Sequence, residues 1–376
     1  MMTQRRLRMS FWRMSRGRLG RRSWNMPLKE TWGRPWMGDF SADWLALREP
    51  ADCRARSVRL TRRLVARLGD LPDAPGTSSW PLRVLDLGCG TGANLRYLAP
   101  RLSLRFDDGP WGRQDWICVD RDLGLLADLT RRSADWARGL ELRAAFQEEG
   151  LCIQGIQTPS LDWRIRTLAL DLAKGVASLP MGPGTLVVAS ALLDLVSADW
   201  LAGLLRACAG AGSSLLLALT YDGRVALSPV HPRDGTLTAL VNAHQRGDKG
   251  LGPALGPTAP AYLADLAAVL GFAMEVDDSD WDLGPDESGL QSALIEGWAV
   301  AAQEQAHASP DSVGVAEEIR RWQEARQAQI AAGRLRIRVG HQDALLFPLS
   351  RLPDAIDEGR SHPSDPSPRD PTAWQG

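Results

Sequence analysis

The stretch Val84-Leu85-Asp86-Leu87-Gly88-Cys89-Gly90-Thr91-Gly92-Ala93-Asn94 constrains the fold of this chain more than any other. A short, largely apolar run, Val84 to Leu87, ends in three glycines at alternate positions, and an amphipathic segment, Asn94 to Leu102, follows. The pattern predicts a strand, a tight turn and a helix. Glycines suit such a turn because the backbone must bend sharply and let a ligand approach without Cβ atoms in the way. The helix behind it presents free N–H groups at its N-terminus.

Two ligand classes use a turn of this kind. Gly88-x-Gly90-x-x-Ala93 satisfies the dinucleotide fingerprint, in which a pyrophosphate sits on the helix N-terminus, but that match alone is weak. Asp86 shifts the balance. A carboxylate near the strand end would face a pyrophosphate unfavourably and suits the ammonium group of an amino-acid-bearing cofactor. With Gly92 included, the stretch resembles the first motif of the class I S-adenosylmethionine-dependent methyltransferases of the bacterial, small-molecule type: acid-x-Gly-x-Gly-x-Gly. Asp86, Gly88, Gly90 and Gly92 match it position by position. The resemblance implies an α/β fold with a Rossmann-like seven-stranded sheet, helices on both faces and an antiparallel last strand. It also implies S-adenosyl-L-methionine as cofactor and methyl transfer as activity. It covers roughly Arg56 to Pro348, with specific signals at Asp86–Gly92 and Asp120 only. Cys89, inside the turn, reads as a small residue and not as a nucleophile. An ordinary Gly-rich turn is the competing reading.

Asp115 to Asp120 reads as a second strand ending in an acid, which in nucleoside-binding α/β folds accepts hydrogen bonds from ribose hydroxyls. The alternative for Asp120 is a cap on a helix from Leu123 to Leu129. A third strand ends at Asp171-Leu172; the resemblance implies that Asp171 lies near the adenine amino group and Leu172 against the ring, the alternative being a turn aspartate. Gly184 to Ser190 is a fourth, apolar strand, as a buried parallel strand should be. Ligands bind beyond the carboxyl ends of strands at the switch point, so Ser190 to Ser197 should line the gap between cofactor and acceptor. Ser190 is assigned to the cofactor side. Asp194 is a candidate base, with Ser197 and Asp199 as candidate helix caps. No Asn/Asp-Pro-Pro-Tyr/Phe motif follows this strand, a departure from the amino-methylating DNA, RNA and glutamine enzymes.

Upstream, Ser41 or Asp43 could cap a short helix, and Ala51 to Leu68 reads as one helix. Downstream, a fifth strand spans Gly212 to Thr220, and Asp234 could cap a helix from Gly235 to Gln245. His231, His244 and His341 are each plausible as base or substrate ligand, without metal-ligand spacing. His244, beside Lys249, joins Asp194 as a catalytic candidate; an uneventful polar helix surface is the alternative. A helix at Tyr262–Leu270, a sixth strand at Phe272–Val276 and helices at about 287–305 and 313–332 precede a last strand, Arg334 to Phe347. There Leu335, Ile337 and Val339 alternate with arginines, leaving one face exposed.

This reading divides the chain into a disordered basic extension (1–31), a Trp-rich helical segment (32–80), a methyltransferase domain (81–348, with helical insertions at about 228–260 and 287–332) and a disordered tail (349–376). Residues 1–25 hold eight arginines and no acid. The rest of the chain has 36 basic against 45 acidic residues, a net −9. An acidic body disfavours nucleic acid; the Trp-rich segment, the His244–Lys249 cluster and the late helical insertions read as a lid over a discrete pocket, which favours a small-molecule acceptor. An RNA methyltransferase using the basic arm is the second reading; a non-catalytic cofactor-binding protein and an NAD-dependent dehydrogenase are others. No apolar run has membrane-spanning length. Five cysteines without a CxxC pair fit a reducing cytoplasm and argue against zinc. Neither the acceptor atom nor the oligomeric state is legible.

Overall fold

A computed structural model of the chain describes residues 40–70, 81–103, 112–156, 158, 161–307 and 314–349. The basic extension, Trp32, Trp36, the loop at 71–80 and all of the tail but Leu349 lie outside the described residues.

Helix α1 (Ala42–Ala55) starts at Ser41, whose hydroxyl accepts from the Trp44 amide at 3.1 Å. The helix expected over Ala51 to Leu68 is not continuous: its first residues, 51–55, belong to α1. Arg56 leaves helical geometry at ψ 136°, and a second helix, α2 (Val58–Asp70), begins after Ser57. The break is held from both sides. Ser57 Oγ accepts from the Leu60 amide at 3.0 Å, and the Ser57 amide donates to Asp343 Oδ2 at 2.8 Å. Leu60, Leu64 and Leu68 still share one buried face.

The expected strand–turn–helix is β1 (Leu82–Leu87) and α3 (Ala93–Ser103), followed by β2 (Arg113–Asp120) and α4 (Leu123–Gly139). A hairpin of β3 (Leu142–Gln147) and β4 (Gly150–Gly155) leads into β5 (Asp162–Ala169) and then β6 (Leu186–Ser190). Helix α5 (Ala198–Ala211), capped by Ser197, precedes β7 (Ser214–Ser228). The rest comprises α6 (Asp234–His244), α7 (Ala259–Val269), β8 (Phe272–Asp278), β9 (Trp281–Leu283), α8 (Ser288–His307), α9 (Val315–Ala331) and β10 (Arg336–Pro348).

The sheet order is β3-β4-β5-β2-β1-β6-β7-β10-β8, with β9 on β10. Strands β5, β2, β1, β6 and β7 are mutually parallel, and β10 runs antiparallel between β7 and β8, as expected for the last strand. The strand count is ten and not seven, because the β3–β4 hairpin widens one edge and β9 pairs with the start of β10. Two apolar clusters cover the two faces of the sheet. Strand β7 was expected to stop at Thr220. It continues to Ser228, because β10 pairs with it along its whole length and takes up its backbone groups. Burial of Ile337 and Val339 against exposed Arg336 and Arg338 confirms the alternation read from the sequence.

That extension carries a third apolar cluster, built from α1, α6, α8, α9 and the far ends of β7 and β10. Asp234 does not cap α6. Its carboxylate accepts from the His231 amide and from Trp322 Nε1, both at 2.9 Å, and pairs with the fully buried guanidinium of Arg326. Arg326 also donates to the Pro229 carbonyl at 2.7 Å. Burial pushes the Asp234 carboxyl up, but the bonds from Arg326 and Trp322 outweigh it and hold it below its ordinary value.

Candidate functional site

The order of the strands reverses between β1 and β6, so their carboxyl ends diverge and leave a crevice. A cavity of about 180 Å³ lies there, with Asp86, Asp120 and Ser190 on its walls. The turn that floors it has all three glycines in the left-handed region: Gly88 at φ 62°, Gly90 at 51° and Gly92 at 84°. Space is short as well. A Cβ on Gly90 would come within 2.9 Å of Leu45 Cδ1, and one on Gly92 within 2.7 Å of Leu129 Cγ. Gly92→Ala therefore combines an unfavourable backbone with overpacking and should lower stability by about 2 kcal/mol, read from the denaturant midpoint.

Asp86 is buried under this turn. Asn94 Nδ2 donates to its Oδ1 at 2.8 Å, and its Oδ2 has no partner. Burial, the dominant cause, lifts its pKa to about 7; the Asn94 bond and the Arg56 charge oppose this and the Asp120 charge adds to it. Asp120, at the end of β2, accepts from the Gly90 amide at 2.8 Å and from the Asp122 amide at 3.1 Å. It thus ties the glycine turn to the next strand, while the cap on α4 is Asp122. Asp171 receives the Ala173 amide at 3.0 Å, capping a single turn at 172–174, and with Leu172 also lines the cavity. Cys89 is buried in the turn, and burial first, then Cys118 beside it, raise its thiol pKa well above the ordinary value.

Asp194 does not line this cavity. It opens instead onto a second one of about 90 Å³, walled by Trp44, Tyr221, Trp281, Trp298 and His341. The two share Phe40, Arg48, Ala191, Leu195 and Lys249 as lining residues. Asp194 is 8 % exposed, its Oδ1 has no partner, and burial raises its pKa to about 6 against the backbone amides of Asp194 and Tyr221 and the charges of Arg48 and Lys249. Two non-glycine residues on the walls, Ala191 and Leu219, have positive φ (53° and 54°), conformations that L-residues hold only when the surroundings impose them. His341 is buried and kept neutral, its pKa lowered to about 3 by burial and then by Arg48.

His244 lines neither cavity. Its ring lies 3.1 Å from Glu304 Oε2 on one side and 3.4 Å from Lys249 Nζ on the other. Burial and Lys249 lower its pKa, against Glu304. His231 accepts from the Arg233 amide at 3.2 Å and stands outside both cavities. Sequence reasoning missed Arg48, which pairs with Asp52 at 2.9 Å and lies over the Trp281 ring at 5.0 Å. No motif marks it; only its place on α1 brings it to the junction. Among the described residues, no group of three or more His, Cys, Asp or Glu is placed to hold a metal, and no helix is long and apolar enough to cross a membrane.

No protein-family model and no curated protein matches the sequence. Solved structures with a similar outline include the cyclopropane synthase MmaA2 of Mycobacterium tuberculosis, at 14% identity and TM-score 0.38, covering 83% of this chain and 98% of that one. A SAM-dependent methyltransferase from Geobacter sulfurreducens, in complex with S-adenosyl-L-homocysteine, matches at 15% identity and TM-score 0.36, covering 83% of this chain and all of its own. A cyclopropane-fatty-acyl-phospholipid synthase-like protein from Lactobacillus casei matches at 12% and 0.41, over 80% and 99%. Likeness at this level carries neither an activity nor a substrate across to this chain.

Proposed function

We propose that the protein is an enzyme that transfers a methyl group from S-adenosyl-L-methionine to a small-molecule acceptor. The observation that carries this reading is Asp86: a buried carboxylate with one unpaired oxygen beside a cradle of three left-handed glycines. An unpaired buried carboxylate calls for a cationic or N–H-bearing partner, and an amino-acid ammonium is one. Gly88 and Gly90 line the cavity, whereas Gly92 does not and a Cβ there would meet Leu129. The residues therefore fit the cofactor. Asp86 would hold its ammonium group, Asp120 its ribose hydroxyls, Asp171 and Leu172 its adenine, and Gly88, Cys89, Gly90 and Ser190 the surfaces between, with Gly92 shaping the turn behind them. Bound there, it supplies an electrophilic methyl on sulfur.

The protein's own part is to orient the acceptor, exclude water and receive a proton where the acceptor carries one. Asp194, in the middle of the short turn at 193–195 after β6, would take the last of these roles. His244 is set one residue further back, where it holds Lys249 toward the junction of the cavities. An acidic body and two small cavities support a small molecule over RNA, and the free cysteines support a cytoplasmic setting.

Asp120→Ala should weaken binding of S-adenosyl-L-homocysteine by roughly 1–3 kcal/mol, since it strips hydrogen bonds from both the turn and the ligand. Calorimetric titration of both proteins with this ligand and with NAD checks it. Unchanged affinity in the variant, or a preference for NAD, would remove the proposal.

A further inference from the structure

Arg56 sits at the break between α1 and α2, and its side chain is buried. Its guanidinium lies over the Tyr97 ring at 4.5 Å, and its Nη1 donates to Asn94 Oδ1 at 2.9 Å. Asn94 Nδ2 in turn donates to Asp86 Oδ1 at 2.8 Å. On the other side, Arg56 Nε is 3.8 Å from Asp343 Oδ2. That carboxylate is fixed by two backbone amides, those of Ser57 and Leu219, each at 2.8 Å. One buried chain of contacts thus runs from Leu219, on the wall of the aromatic cavity, to Asp86, on the wall of the cofactor cavity.

The direction of these hydrogen bonds matters. A guanidinium only donates, so the Asn94 oxygen has to face Arg56 and its NH2 group has to face Asp86. An amide held that way round serves a carboxylate. Without Arg56 the amide is free to turn its oxygen toward Asp86, which suits the protonated acid. The charge of Arg56 acts in the same sense, because a nearby cation favours the ionised form against the cost of burial. Stability alone is a weak reason for a buried charge here, since apolar replacement of a buried ion pair is often neutral or stabilising.

We propose that Arg56 is a positioning residue for the cofactor: set against Asp343, it fixes the Asn94 amide and biases Asp86 toward the carboxylate that an ammonium group can meet. This deepens the methyl-transfer reading and rests on it. Besides Arg56, the groups around Asp86 are Asp120, whose charge opposes its ionisation, and the thiols of Cys89 in the turn and Cys118 on β2; β6 places Val188 beside it. Arg48, Asp52, Arg121, Asp122, Asp171 and Lys249 stand elsewhere on the cavity wall. All of these are common to the parent and the variants below, so their effects divide out of an affinity ratio.

The test is calorimetric titration of the full chain with S-adenosyl-L-homocysteine between about pH 6 and about pH 9. Arg56→Met removes both the charge and the lock on the amide. It should raise the midpoint of the affinity profile by about one pH unit, which makes binding about tenfold weaker than the parent's near pH 6 and about equal to it near pH 9. Arg56→Met also leaves Asp343 buried without its cation, so the pair of Arg56→Met with Asp343→Asn, which strands no charge, is the variant to use if the single one does not fold. The pair should show the same pH-dependent loss. A loss of equal size near pH 6 and near pH 9 overturns the inference and means that Arg56 only supports the packing of the turn. Affinity equal to the parent's throughout overturns it as well, with methyl transfer left standing. If the parent does not bind S-adenosyl-L-homocysteine at any pH, the functional reading falls, and this role with it.

Discussion

Asp86→Asn is expected to make the folded protein more stable and at the same time to cost it most of its cofactor affinity. The side chain is buried with a pKa lifted from 3.8 to about 7, chiefly by burial, so the folded state binds its proton more tightly than the unfolded chain does. The stability contributed by that proton is fully present below pH 3.8, declines as the pH rises toward about 7 and is gone above it. Asparagine carries no charge to bury and keeps an oxygen for the Asn94 amide. Above pH 7 the variant should therefore exceed the parent by roughly 1–3 kcal/mol, seen as a higher urea midpoint, with the gap closing on acidification. Binding should move the other way. An amide cannot neutralise an ammonium group, so S-adenosyl-L-homocysteine should bind roughly tenfold to a hundredfold more weakly. The parent's affinity should also fall below pH 7, as Asp86 takes up a proton, while the variant's shows no such dependence. A variant that loses stability, or keeps its affinity, would show that Asp86 supports the fold and not the ligand.

The second large effect lies at a pair that lines neither cavity. Asp234→Ala should destabilise the protein by about 3–5 kcal/mol, because the fully buried Arg326 guanidinium would be left with only neutral partners. That is a large part of the stability of an ordinary domain. Changing Arg326 to Met as well removes the stranded charge and should recover much of the loss, since apolar replacement of a buried ion pair is often tolerated. Denaturant midpoints of the two single variants and the pair measure the coupling. Additive losses would mean that the pair contributes nothing beyond its separate contacts. The effect reaches function indirectly, since this pair joins α6 to α9, and α6 supplies Val241 to the aromatic cavity.

The parts of this protein that could be read without a structure are those whose chemistry is local in sequence. Asp86 and the three glycines stand within seven residues, and their spacing already demands a strand, a left-handed turn and a helix. Asp120 could be read because a parallel strand must end beside the first one, whatever fills the loop between them; the register sets Asp86 against Cys118, two residues before it. The second helix was read as starting at Ala51 because no local signal marks a break at Arg56 and Ser57, and what holds that break is distant. Asp343, on β10, takes the Ser57 amide. Asp234 was read as a cap because a cap is its common local use; its partner, Arg326, sits 92 residues on.

The sequence by itself determined the switch-point sheet, its glycine cradle and the two acids beside it, because these follow from backbone geometry and nearest neighbours along the chain. Only the tertiary structure decided that Asp194 faces a separate aromatic cavity, that Arg48 and Lys249 stand where the two cavities meet, and that His244 does not reach either. Those placements depend on β7 and β10 running past the sheet and on α1, α6 and α8 packing against that extension. Burial of their apolar faces, drawn from remote stretches of chain, fixes which side chains meet, and no local pattern encodes that.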